Sequence, residues 1–100
     1  PKSVDNLLRI ALIRVQARKL YMPEVRGKNG QIRFILNRDA KIRVENIPIV
    51  LSKYPRLNFQ PKGTPEFIFR YKKCGMVERE AEMLLGYTEE LLGAMGEVLV

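Results

Sequence analysis

Residues 31–71 read QIRFILNRDAKIRVENIPIVLSKYPRLNFQPKGTPEFIFRY, and the patterns in this stretch decide the fold. At its start Ile32, Phe34 and Leu36 alternate with Arg33 and Asn37, the period of two that marks a half-buried strand. Ala40, Val44, Ile47, Leu51 and Tyr54 then follow at steps of four, three, four and three, which stacks them on one face of a helix. Leu57 and Phe59 alternate in a second strand, and Phe67, Phe69 and Tyr71 in a third. Strand, crossover helix and strand predict a right-handed βαβ unit with parallel strands, extended to βαββ by the third strand. Asn37 or Asp39 is placed to cap the helix, and Tyr54-Pro55 stops it. Pro48 inside it removes a backbone donor and predicts a kink near Asn46 and Ile47, or two short helices. Arg43 lies near the buried side of the wheel, where pairing with Asp39 is expected. QPKGT, residues 60–64, is a short turn.

On the N-terminal side, residues 1–22 read as a basic amphipathic helix. Ser3 is an expected N-cap, with Asp5 in the first turn. Val4, Leu8, Ala11 and Val15 share a face widened by Leu7 and Leu12, and Arg9, Arg14, Arg18 and Lys19 lie mostly off it. Its Arg-rich make-up is that of a mitochondrial targeting sequence and equally of an ordinary helix packed on a sheet; an uncleaved signal satisfies both. VRGKNG, residues 25–30, reads as a basic loop of the kind that fits phosphate backbones. On the C-terminal side, Cys74-Gly75 makes a turn. VEREAEMLL contains good helix formers, yet Val77, Arg79, Ala81 and Met83 alternate with Glu78, Glu80 and Glu82. At least the first half of residues 76–85 is expected to be a hairpin strand, with the three acids in a row on one face. Gly86 ends that segment, and Thr88, Glu89 and Glu90 open a helix over 88–99 with Leu91, Leu92, Met95, Val98 and Leu99 on its apolar face. Gly93 and Gly96 weaken this helix and are expected to let it pack closely on the sheet. The whole is one α/β domain over residues 1–100, with a central mixed four-stranded sheet flanked by helices.

The net charge is +7, and it is unevenly spread. Residues 1–73 hold 17 of the 18 Lys and Arg and 5 of the 11 Asp and Glu, whereas residues 74–100 hold one Arg and six Glu. A basic body with an acidic end points to a polyanion, RNA or DNA, as partner, against the plainer reading of a solvated surface. The only cysteine is Cys74 and there is no histidine, which excludes an internal disulfide, a Cys/His catalytic pair and a His-rich metal site. No CxxC, nucleophile–base pair or glycine-rich phosphate loop is present. No apolar run approaches the roughly 20 residues that span a bilayer, and no signal peptide is visible. The expectation is therefore a binding or structural module, not an enzyme, with no cofactor, metal, membrane or small-molecule substrate.

Three proline-centred pieces carry a resemblance: Asn46-Ile47-Pro48, Lys53-Tyr54-Pro55, and Thr64-Pro65-Glu66-Phe67 followed by Phe69-Arg70-Tyr71. With the βαββ order over residues 31–71 and a C-terminal helix, the chain resembles the thioredoxin-like mitochondrial ribosomal proteins. That family has members in both ribosomal subunits and includes a small accessory subunit of respiratory complex I; the small-subunit member is the nearest in pattern. Tyr54 stands where the family often has Asn, and the single Cys74 departs from the cysteine pair usual in the complex I member. The resemblance implies a thioredoxin-like fold without redox chemistry. It also implies a structural constituent of the mitochondrial ribosome, located in the matrix and bound to rRNA and neighbouring ribosomal proteins. The residues expected to meet rRNA phosphates are Arg9, Arg14, Arg18 and Lys19 on the first helix, Arg26 and Lys28 in the VRGKNG loop, Arg38, Lys41 and Lys53 on the kinked helix, and Arg56 and Lys62 beyond it. The acidic end would face a basic protein or solvent.

Three alternatives differ in partner. A large-subunit member of the same family binds other rRNA. A complex I accessory subunit uses the same fold for protein contacts alone. A nucleic-acid-binding module with a ferredoxin-like α/β sandwich needs no ribosome.

Overall fold

The computed structural model describes residues 2–100, and side chains from residue 4 onward. Ser3's expected capping side chain lies outside the described residues. The elements run α1 (Lys2–Lys19), β1 (Glu24–Lys28), β2 (Gln31–Ile35), a 3-10 turn (Val44–Asn46), α2 (Ile47–Lys53), β3 (Leu57–Gln60), β4 (Glu66–Arg70) and α3 (Val77–Val98).

The four strands form one sheet in the order β1-β2-β4-β3, with every neighbouring pair antiparallel. The domain is thus α/β with a four-stranded antiparallel sheet, not a mixed one. β2 and β3 do run in the same direction, but β4 lies between them, so the expected parallel pair does not form. The fourth strand also comes from an unexpected place. VRGKNG is not a loop: β1 pairs with β2 through a two-residue turn at Asn29 and Gly30, whose φ angles of 52° and 80° define a hairpin that needs positive φ at both positions. Residues 76–85, expected to begin as a strand, are helical, and α3 continues unbroken past Gly86 and Thr88. Thr88, expected to open a helix with Glu89 and Glu90, is a buried mid-helix residue. Helix propensity summed over VEREAEMLL, with Glu78 and Glu80 at the positive end of the dipole, outweighs the two-residue alternation.

Alternation places Val25, Gly27, Ile32, Phe34, Phe67, Phe69, Leu57 and Phe59 on one sheet face, which the register brings side by side. Phe34 and Phe67 are completely buried, each stabilising the fold by about 1.5–3 kcal/mol. The buried residues of all three helices join the same cluster. Leu91, Leu92 and Met95 supply α3's share, and Leu99 follows just past its end. Gly93 and Gly96 do not mediate close packing; a Cβ at either would meet nothing within 4 Å. Gly27 does: a Cβ there would sit 3.2 Å from Leu84 Cδ2, so its bareness lets α3 approach β1.

Two helices differ from expectation. α1 buries Ile13 and Ala17, followed by Leu20 just past its end, and turns the predicted face outward, with Leu7 and Leu8 67% and 61% exposed. Both sides of α1 carry aliphatic residues, and the sheet takes the one continuous with Leu20 and Met22. The helix closes in a Schellman turn: Met22 N–H bonds Ala17 C=O at 2.8 Å and Tyr21 takes a φ of 59°. The expected long kinked helix is a short one. Residues 37–43 are irregular, and Pro48 stands in the first turn of α2, where its missing N–H costs nothing. Val44 is exposed, and Ile47 and Val50 face the core. Arg43 is exposed and makes no ion pair with Asp39 among the described residues; its backbone N–H instead bonds Leu99 C=O at 2.7 Å.

Candidate nucleic-acid interface

Because all helices pack on one face of the sheet, the other face is uncovered. The register sets its side chains in three rows across the strands. The first row is Lys28, Gln31 and Arg70, continued by Arg56, whose carbonyl accepts the Arg70 N–H at 3.1 Å. The second is Arg26, Arg33, Ile68 and Asn58, and the third Glu24, Ile35, Glu66 and Gln60.

Ion pairs decide where the positive charge remains. Arg26 donates to Glu24 at 2.6 Å, and Arg33 donates to the buried Glu66 carboxylate at 2.5 and 3.1 Å. The second and third rows therefore largely neutralise one another. Lys28, Arg56 and Arg70 form no salt bridge among the described residues and are exposed. At the strand spacing of about 4.8 Å these three cations lie within about 14 Å of each other in a row across one end of the strands. Every aromatic residue of the strands points to the opposite, buried face. The uncovered face thus offers cations and the amides of Gln31 and Asn58 but no ring for a base to stack on; the Gln60 amide is tied to the Lys62 backbone through both its nitrogen and its oxygen. Such a surface suits phosphates and sugar hydroxyls, not base edges.

The eleven basic residues expected at the interface are not gathered in one place. Arg26, Lys28 and Arg56 share the uncovered face. Arg14, Arg18 and Lys19 are exposed on α1, on the helix side of the sheet. Lys53 ends α2, Arg38 and Lys41 lie in the irregular segment before the 3-10 turn, and Lys62 lies in the β3–β4 turn; all are exposed. Arg9 is committed internally: it donates to Glu89 at 2.6 and 3.0 Å and to Glu82 at 2.8 Å, tying α1 to α3. The Glu89 hydrogen bond, and then Glu82, raise the guanidinium pKa, and Arg9 in turn lowers that of Glu89. The acidic row expected on a strand is dispersed by the helix: Glu82 meets Arg9, whereas Glu80 Oε1 is buried without a hydrogen-bond partner among the described residues.

Sequence reasoning missed Arg33, Gln31 and Arg70. The signal was present in the alternation, since Arg33 opposes Ile32 and Phe34 and Arg70 opposes Phe69 and Tyr71. Among the described residues no cluster of His, Cys, Asp or Glu has the make-up of a metal site, and no helix is long and apolar enough to cross a membrane. No family model, curated protein or solved structure matches this chain.

Proposed function

We propose that this chain is a non-catalytic structural module that lies on RNA through the uncovered sheet face, and that it serves as a mitochondrial ribosomal protein of the thioredoxin-like kind. The observation that carries the reading is the row of Lys28, Arg56 and Arg70, exposed and without carboxylate partners among the described residues, beside rows whose charges cancel. The ribosomal and mitochondrial part rests on the three proline-centred pieces and on the βαββ order followed by a helix. The separation of β2 from β3 by β4 departs from an adjacent parallel pair, so the kinship carries less of the reading than the charge does. Association with the small subunit is the first choice, and the large subunit the second.

A nucleic-acid-binding α/β sandwich outside the ribosome is the second reading. It is favoured by the antiparallel sheet with helices on one face only. Co-sedimentation of tagged protein through a sucrose gradient of mitochondrial lysate separates the readings. The ribosomal one expects the protein in the small-subunit peak, released by high salt. Recovery solely with a respiratory membrane complex overturns it, and free protein that binds duplex DNA at moderate salt supports the second.

A further inference from the structure

β1 is an edge strand, and its free side opens on a groove. The two-residue hairpin makes Lys28 and Gln31 a hydrogen-bonded pair, so Glu24, Arg26 and Lys28 exchange bonds with β2, whereas Val25 and Gly27 direct their N–H and C=O groups outward. No hydrogen bond from elsewhere in the described chain reaches those four groups. Alongside them runs an open groove of about 640 Å3 between β1, α1 and α3, walled by Ile10, Ile13, Leu84 and Leu85. Arg14 and Arg18, one helical turn apart, stand on its α1 side, exposed and without a salt bridge among the described residues, whereas Glu24, the carboxylate that also lines it, is held by Arg26 at 2.6 Å.

We infer that this edge and groove receive an extended segment of a partner protein in which apolar and acidic residues alternate, added as a fifth strand beside β1. Pairing with Val25 and Gly27 fixes its register. Its inward side chains enter the groove and are apolar, except the one that reaches Arg14 and Arg18 at the α1 wall, which is acidic. Its outward side chains lie beside Lys28 and are acidic, Arg26 being already paired with Glu24. A second copy of this chain fits less well. Two β1 strands paired about a two-fold axis at Arg26 would set that residue opposite its own copy, a destabilising juxtaposition of like charges. The inference does not depend on RNA binding: the outward backbone groups of Val25 and Gly27 and the groove lie apart from the uncovered face, and only Lys28 is common to both.

The test uses the full chain and a fluorescein-labelled nine-residue peptide alternating glutamate with valine, its first and last valines replaced by glutamate so that an acid reaches Arg14 and Arg18 in either strand direction, read by fluorescence anisotropy, with a lysine–valine peptide as control. Amide hydrogen exchange locates the contact. The acidic peptide should bind at least tenfold more tightly than the control and slow exchange at Val25 and Gly27. Val25→Pro removes an outward donor while leaving the β1–β2 ladder intact, as prolines on edge strands do, and should weaken binding tenfold or more. Arg14→Glu with Arg18→Glu changes only exposed side chains, should weaken binding at least fivefold, and decides the matter if Val25→Pro fails to fold. The inference is overturned if the acidic peptide does not bind, or if it binds without slowing exchange at Val25 and Gly27. It is also overturned if the Arg14/Arg18 variant binds like the unaltered protein, or if the chain dimerises through β1.

Discussion

Replacing Lys28, Arg56 and Arg70 together with Gln removes three positive charges from one row of the uncovered face without touching the core, since all three are exposed and none forms a salt bridge among the described residues. Each lost phosphate contact lowers the slope of log affinity against log salt by about 0.7 for single strands and about 0.9 for duplexes. Three contacts therefore lower it by about 2 to 2.7. Between 50 and 200 mM salt, a fourfold change, the unaltered protein should lose about 20- to 40-fold more affinity than the variant. The assay is anisotropy of a labelled structured RNA across that salt range, with circular dichroism to confirm the fold. The control removes the same charge from α1, as Arg14→Gln, Arg18→Gln and Lys19→Gln. A slope unchanged by the sheet variant, or changed equally by both variants, refutes the assignment of the contact to the sheet face.

Phe69→Ala should destabilise by about 3–5 kcal/mol in urea unfolding, because the ring is buried and packs against Tyr87 at 5.1 Å; Leu8→Ala, on the outward side of α1, should cost no more than about 0.5 kcal/mol, and equal losses would place α1 wrongly. Gly30→Ala forces a side chain into positive φ in the β1–β2 turn and should cost about 1–2 kcal/mol, read as a lowered unfolding midpoint. Arg9→Leu should cost about 1–2 kcal/mol at neutral pH, discounted for the partial exposure of the pair. Its pH dependence has a definite sign. Arg9 holds the Glu89 pKa below the ordinary carboxylate value, so the pair contributes fully above that value and loses its contribution as pH falls through the lowered one. The gap between the unaltered protein and Arg9→Leu should therefore close in acid; a gap that is constant with pH contradicts the pairing.

Much of the architecture was legible because strand alternation and burial are local signals. Ile32 and Phe34, and Phe67 and Phe69, declared both their strands and their inward face. The errors fall where a local pattern admits two answers. Val77 to Met83 fits a period of two as well as a helix, and helix propensity, joined by the packing of Leu84, Leu91 and Met95, decides for the helix. Asn29-Gly30 is a strong hairpin signal, but Arg26, Gly27 and Lys28 mask β1 as a loop because an edge strand need not be apolar. Pro48 reads as a kink or a start depending on whether residues 38–46 are helical, and Asn37 and Asp39 favour irregular backbone there. α1 has two aliphatic sides, and the choice between them depends on the connection through Met22. Basic residues were legible as a population, but which of them keep free charge depends on carboxylates far away in the chain, as with Arg9 and Glu89 or Arg33 and Glu66.

Backbone amide chemical-shift mapping of the labelled protein during titration with a twelve-nucleotide single-stranded RNA tests the central claim most directly. The account predicts the largest shifts at Lys28, Gln31, Arg33, Arg56 and Arg70, on the face the helices leave bare, with little dependence on base sequence. Shifts confined to α1 and α3, or none at low salt, would contradict it.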